Sequence, residues 1–147
     1  MPQLHNVPTA PEGGWTLQSY FDEAVRYLAS MAEPCTVTDD GDIACTYRTE
    51  SGSACLVGHF VPNDHIVADE YQSFITVGVT DLIRFPELAG VAWPTDNIEL
   101  ANDLQHVHDS TGYWSKRGFV APGRLREIAA HWNLDSAVID AQTWTER

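Results

Sequence analysis

The sequence predicts an α+β fold: an N-terminal amphipathic helix, a small antiparallel β-sheet or hairpin, and C-terminal helices. Three observations lead there. Apolar residues recur at helical spacing in "TLQSYFDEAVRYLASMAEP". β-branched and aromatic residues flank an Asp-Gly turn in "CTVTDDGDIACTYR". Helical spacing then returns in "DNIELANDLQHVHD" and "PGRLREIAAHWNL". A run of helix, then strands, then helices is the pattern of an α+β chain.

Each element has its own justification. Residues 1–15 are polar and rich in Pro and Gly, which predicts a flexible lead-in ahead of a single α+β domain over 16–147. In the first helix Leu17, Tyr20, Phe21, Ala24, Leu28 and Met31 form one apolar face. Thr16 can cap its start and Pro34 its end. Thr36–Thr38 approach the "DDGD" turn and Ile43–Tyr47 leave it, the signature of a hairpin. "ACLVGHFVP" reads as a third strand or a short helix, stopped by Pro62. "SFITVGVTDLIRF" reads as a strand, or a strand passing into a helix, and "PELAGVAWPTD" as a loop. A capped helix is expected from Asp96, with Leu100, Ala101, Leu104 and Val107 turned inward. Pro122 suits the first turn of the next helix, whose face carries Leu125, Ile128, Ala129 and Trp132. "DSAVIDAQTW" can add one more.

The length of 147 residues suits one domain that buries a core without staples. No apolar run reaches the roughly 20 residues of a membrane helix, and residues 1–14 have no basic or apolar region of a signal peptide. Three cysteines without a C-x-x-C pair favour reduced thiols and a cytoplasmic setting. Charge is the anomaly. There are 21 acidic and 8 basic residues, a formal net charge of −13. The whole excess lies in residues 1–103, where Arg26, Arg48 and Arg84 are the only cations. Such a field repels nucleic acid and attracts cationic proteins; solubility in a salty cytoplasm is the plainer account.

Cys35, Cys45 and Cys55 stand ten residues apart, with His59 four beyond the last, whereas structural zinc ligands come in pairs two to four apart. No metal and no cofactor is expected. Cys55 and His59 would share a face if "CLVGH" were helical, with Asp64 as a third group, which is the minimal plan of a small Cys–His enzyme. Buried cysteine beside a satisfied histidine is the commoner arrangement, so no catalytic residue is assigned and a binding protein is favoured over an enzyme. On a helix His106 and His108 lie about 200° apart and cannot face one ion. His131 sits on a different helix and could join either of them. Arg48, Lys116, Arg117, Arg124 and Arg126 form an alternative anion-binding set, since loop amides, a helix start and guanidinium groups suit a nucleotide. No phosphate-loop motif sharpens that reading. Asp39, Asp40, Asp42, Glu50, Asp64, Asp69 and Glu70 crowd predicted turns, which project side chains into solvent. An array of carboxylates can stand in for a phosphate backbone in a cationic groove.

The stretch "CTYRTESGSACLVGHFVPND" resembles a group of small proteins found in bacteriophages and prophages. The shared pattern is Cys45, Tyr47, Arg48, Gly52, Cys55, Val57, Gly58, Val61, Pro62 and Asp64. "LQHVHDS" and "LREIAAHWNL" look similar to the C-terminal half of that group, so the likeness covers about residues 17–134. His59 stands where those proteins often carry a small residue or Cys. The resemblance implies a viral accessory protein and supplies no catalytic residue. Joined to the acidity, it leads to an expected function: an inhibitor of a host defence protein, such as a CRISPR effector or another nucleic-acid-handling complex. The contact would be the carboxylate-rich surface, with no direct nucleic acid and no membrane, and a homodimer is compatible. A pocket protein that sequesters an immune signalling nucleotide is the alternative, with a Cys–His enzyme behind it.

Overall fold

A computed structural model describes residues 5–31, 36–39, 42–45, 54–65, 83–95, 97–109 and 122–144. The first helix, α1, runs Leu17–Ser30. Thr16 opens it with a capping box: Thr16 Oγ1 accepts from Ser19 N at 3.0 Å, and Ser19 Oγ accepts from Thr16 N at 3.0 Å. Two amide groups without intrahelical partners are thereby satisfied. Tyr20, Phe21, Ala24, Val25 and Leu28 are all fully buried, so the predicted stripe is the face that packs. The helix stops at Ser30, where Met31 takes an extended conformation.

Two strands follow, β1 (Thr36–Asp39) and β2 (Asp42–Cys45), paired antiparallel from Thr36↔Cys45 to Asp39↔Asp42. The expected α+β class is nevertheless overturned. Among the described residues the fold is mostly helical, and the paired chain amounts to two four-residue strands. Of the two readings of the next segment, a third strand or a short helix, the structure takes the helical one. "ACLVGHFVP" winds into a 3-10 turn at Gly58–Phe60, with Cys55 O accepting from His59 N at 2.9 Å. Its residues Ala54 to Val61 are all buried. A fully apolar run has no alternation to decide between strand and helix, and here burial on every side suits a compact turn. Residues 66–82, including most of "SFITVGVTDLIRF", lie outside the described residues.

Pro86–Leu88 makes a second 3-10 turn, and Ala89 bridges to Trp93. Helix α2 spans Glu99–Asp109, three residues later than the start expected at Asp96. Asn97 Oδ1 accepts from Glu99 N at 2.9 Å and satisfies an amide of the first turn. Leu100, Ala101, Leu104 and Val107 face the core as expected. Helix α3 spans Pro122–His131 and α4 spans Ala137–Asp140. Helix α3 closes with a Schellman arrangement: Asn133 is left-handed at φ 56°, Leu134 N donates to Ala129 O at 2.7 Å, and Asn133 N donates to Ala130 O at 3.2 Å.

The core joins α1 to the 54–61 segment, the 88–93 loop, α2, α3 and Ile139 of α4. Polar ties run through it. Gln105 Oε1 on α2 accepts from Val57 N at 2.9 Å inside the core. Gln18 on α1 holds the Asp135 peptide from both sides, donating to its carbonyl at 3.0 Å and accepting from its amide at 2.8 Å. No buried side-chain nitrogen or oxygen among the described residues lacks a hydrogen-bond partner. The segment before α1 is tied to the body as well. Trp15 is buried, its indole donates to Val91 O at 2.9 Å, and its amide donates to Gly90 O at 3.0 Å.

Candidate functional site

Helix α1 presents Glu23 and Tyr27 one turn apart, and therefore on one face. The 3-10 turn at Gly58–Phe60 brings His59 against that face. The His59 ring lies flat on Tyr27, with centroids 3.8 Å apart and 8° between planes. His59 Nε2 is 3.1 Å from Glu23 Oε1, and His59 Nδ1 is 2.7 Å from His5 Nε2. Glu23 uses its other oxygen, Oε2, to accept from Arg26 Nε at 3.3 Å. The Tyr27 hydroxyl donates to the Ala54 carbonyl. His5 stands edge-on to both rings, 5.7 Å from Tyr27 and 5.0 Å from His59.

This geometry assigns the protons. A carboxylate can only accept, so His59 Nε2 carries the hydrogen that Glu23 receives. In the neutral ring His59 Nδ1 is then an acceptor, and His5 Nε2–H donates to it. The result is a relay, Glu23–His59–His5, with a carboxylate orienting one imidazole and that imidazole receiving a proton from a second. Glu23 is one-fifth exposed and His59 less than one-tenth, so the relay reaches from the interior toward solvent. The His5 peptide is gripped separately: Asn63 Oδ1 accepts from His5 N at 3.1 Å, and Asn63 Nδ2 donates to His5 O at 2.8 Å.

Cys55 and His59 do not form the dyad weighed from the sequence. Cys55 Sγ accepts from Gly58 N at 3.3 Å, and the His59 ring nitrogens are turned to Glu23 and His5. Cys55 instead lies close to Tyr20. Burial pushes the Tyr20 phenol well above its ordinary value, and Cys55 adds to the effect. Among the described residues no three His, Cys, Asp or Glu side chains gather to hold a metal ion. His108 is fully buried on α2, with Nδ1 2.9 Å from Asp109 Oδ1, while His106 is exposed on the opposite side.

The charged candidates divide as follows. Asp39 and Asp42 face each other as the last pair of the β1–β2 ladder, and Asp64 is exposed. Asp40, Glu50, Asp69 and Glu70 lie outside the described residues, as do Arg48, Lys116 and Arg117 of the anion-binding set. Arg124 and Arg126 project from α3 and each meets an acid. Arg124 Nη1 is 3.4 Å from Glu127 Oε2, and Arg126 Nη2 is 2.9 Å from Asp140 Oδ1. Two open clefts adjoin, sharing Thr95 and Asn97. The larger, about 510 Å³, lies where Gly13–Leu17 meet Pro94, Thr95 and Asn97. The other, about 330 Å³, is bordered by Ile83, Pro86, Trp93 and Ile98. Among the described residues neither is lined by a titratable side chain.

Sequence reasoning singled out His59 but missed Glu23, Tyr27 and His5. The spacing of Glu23 and Tyr27 on a predicted helix was a usable signal. The meeting of His5 with His59, 54 residues apart, had none. No helix among the described residues is long and apolar enough to cross a membrane. Comparison with protein-family models, with curated proteins and with solved structures finds no match.

Proposed function

We propose that the chain is an acidic binding protein, encoded by a phage or prophage, that inhibits a host defence protein by occupying a cationic surface. The observation that carries this reading is the fate of the cations. Against a net charge of −13, the described guanidinium groups of Arg26, Arg124 and Arg126 are each engaged by an acid of the same chain. Arg84 lies over the Phe85 ring, 5.0 Å from its centroid. Among the described residues these cations are thus engaged within the chain, whereas exposed carboxylates such as Asp64 have no ion-pair partner there. Together with the excess of 21 acids over 8 cations, this supports a cationic partner.

Opposite charge raises the rate of encounter and makes it sensitive to salt. The contact set is Asp39, Asp40, Asp42, Glu50, Asp64, Asp69 and Glu70, and the partner is a host protein whose basic groove ordinarily holds nucleic acid. The test is a pull-down from host lysate at low and then high salt, with partners identified by mass spectrometry, followed by association kinetics. Changing Asp39, Asp40 and Asp42 together to Asn should slow association with the captured protein and flatten its salt dependence. Unchanged kinetics would sink the assignment. Calorimetry against cyclic and ADP-ribose-type nucleotides should give no heat.

A further inference from the structure

We propose that the two joined clefts bind a proline-rich peptide segment flanked by basic residues, with a carbonyl of that segment accepting from the Trp93 indole. The indole nitrogens of Trp15, Trp132 and Trp144 each have an acceptor within the chain, at Val91 O, Asp103 Oδ2 and Ile139 O. That of Trp93 has none among the described residues, although the residue is only 3% exposed. No fully buried side-chain nitrogen among the described residues lacks a partner, so the Trp93 N–H lies on the sliver of ring that reaches the surface. Trp93 forms part of the wall of the smaller cleft, and the donor opens there. A buried indole ordinarily finds a partner, so one held with its N–H open marks a place for an acceptor.

The neighbouring groups describe the rest of the ligand. Asn97 belongs to both clefts and turns Oδ1 to Glu99 N at 2.9 Å, which leaves Nδ2 as a second donor. Ile83, Pro86 and Ile98 give apolar walls, and Ile83 is 67% exposed. Where it lies in the groove the ligand is therefore apolar, uncharged and rich in acceptors. Proline residues offer carbonyls and no N–H, with ring surface between them. Their extended helix is preformed, so little chain entropy is lost on docking. A small molecule needs a site that encloses it, whereas these clefts are open and run into one another, which suits a chain advancing about 3.1 Å per residue. Charge sets the flanks. Glu12, Glu87 and Glu99 are exposed and stand next in sequence to Gly13, Pro86 and Ile98 of the lining. Glu87 accepts from His65 Nε2 at 2.9 Å, which favours its ionised form. Arg84, beside Ile83, is the one cation so placed among the described residues, and it lies over Phe85. Three carboxylates against one guanidinium favour basic flanks. The site is separate from the carboxylate contact set proposed above and does not depend on it.

The probe is a synthetic hexaproline peptide with an arginine pair at each end, titrated into the isotope-labelled full chain and followed by NMR. The indole N–H resonance of Trp93 should move as the peptide is added. Those of Trp132 and Trp144, committed to Asp103 and Ile139, should stay. Ile83→Ser removes an exposed wall of the cleft without touching the core, so it should weaken binding about threefold or more and leave the melting temperature unchanged. A peptide with alanine in place of proline lacks the preformed helix, and one with glutamate in place of arginine meets like charge. Each should bind about tenfold more weakly or worse. An unmoved Trp93 resonance overturns the inference. So does equal binding of the alanine or the glutamate peptide, equal binding by Ile83→Ser, or movement of Trp132 and Trp144 in step with Trp93.

Discussion

Tyr20 lies against Phe60 with ring centroids 4.1 Å apart, and its hydroxyl donates to Ala92 O at 2.8 Å. One side chain of α1 thus locks both the 54–61 turn and the 88–93 loop. The phenol is fully buried and its hydroxyl is satisfied by a backbone carbonyl, so it has every reason to stay protonated.

Tyr20→Phe should cost about 1 kcal/mol at neutral pH through the lost bond and the stranded Ala92 carbonyl. Its effect on pH dependence has the opposite sign. Burial raises the folded-state phenol above its unfolded value, so its contribution is whole below about pH 10 and is lost as pH rises toward the folded value. Urea unfolding from pH 8 to 11 should show a steeper alkaline decline in the parent than in Tyr20→Phe. Parallel curves would mean that the phenol ionises as freely folded as unfolded.

Gly14→Ala should destabilise by about 2 kcal/mol or more. Gly14 sits at φ +93°, and a Cβ there would stand 2.8 Å from Thr95 Oγ1 and 3.0 Å from Gly90 Cα. The hydroxyl can rotate away, but the backbone of Gly90 cannot, and the left-handed conformation adds its own strain. Gly13→Ala is the control. It shares a positive φ of +84° but has open space around it, so it should lose less. Equal melting temperatures for the two variants would refute the role of close approach.

Gln105→Met preserves volume and removes the acceptor for Val57 N, leaving a buried amide unsatisfied. A loss of about 1–3 kcal/mol is expected. Chemical denaturation would read it, and a neutral result would show that the amide finds another acceptor.

Asn133→Ala should cost about 1 kcal/mol, because alanine tolerates φ 56° less well than asparagine. Asn133→Gly should be neutral or slightly stabilising, since glycine takes that conformation freely at the end of a helix. If alanine and glycine behaved alike, the left-handed cap would not be the cause.

The helices were legible because their signals are local. The α1 stripe, its Thr16 cap and the α2 residues Leu100, Leu104 and Val107 could be placed by spacing alone, since side chains three and four apart share a face whatever they pack against. The β-branched residues around an Asp-Gly turn likewise pointed to paired chain. That pairing does not grow into a wider sheet among the described residues. A turn signal shows where two strands can meet, not whether further strands join them, and the neighbouring apolar run at 54–61 went to a 3-10 turn instead.

By itself, then, the sequence determined the helical stripes, the end of one cap, and the charge of −13 with its concentration before residue 104. Only the tertiary structure decided that His59 turns away from Cys55 toward Glu23 and His5, and that Arg124 and Arg126 spend their charge on Glu127 and Asp140. The reason is physical: propensity and periodicity act within a few residues of chain, whereas a hydrogen-bond partner is chosen by whichever donor or acceptor the packed fold brings within 3 Å or so.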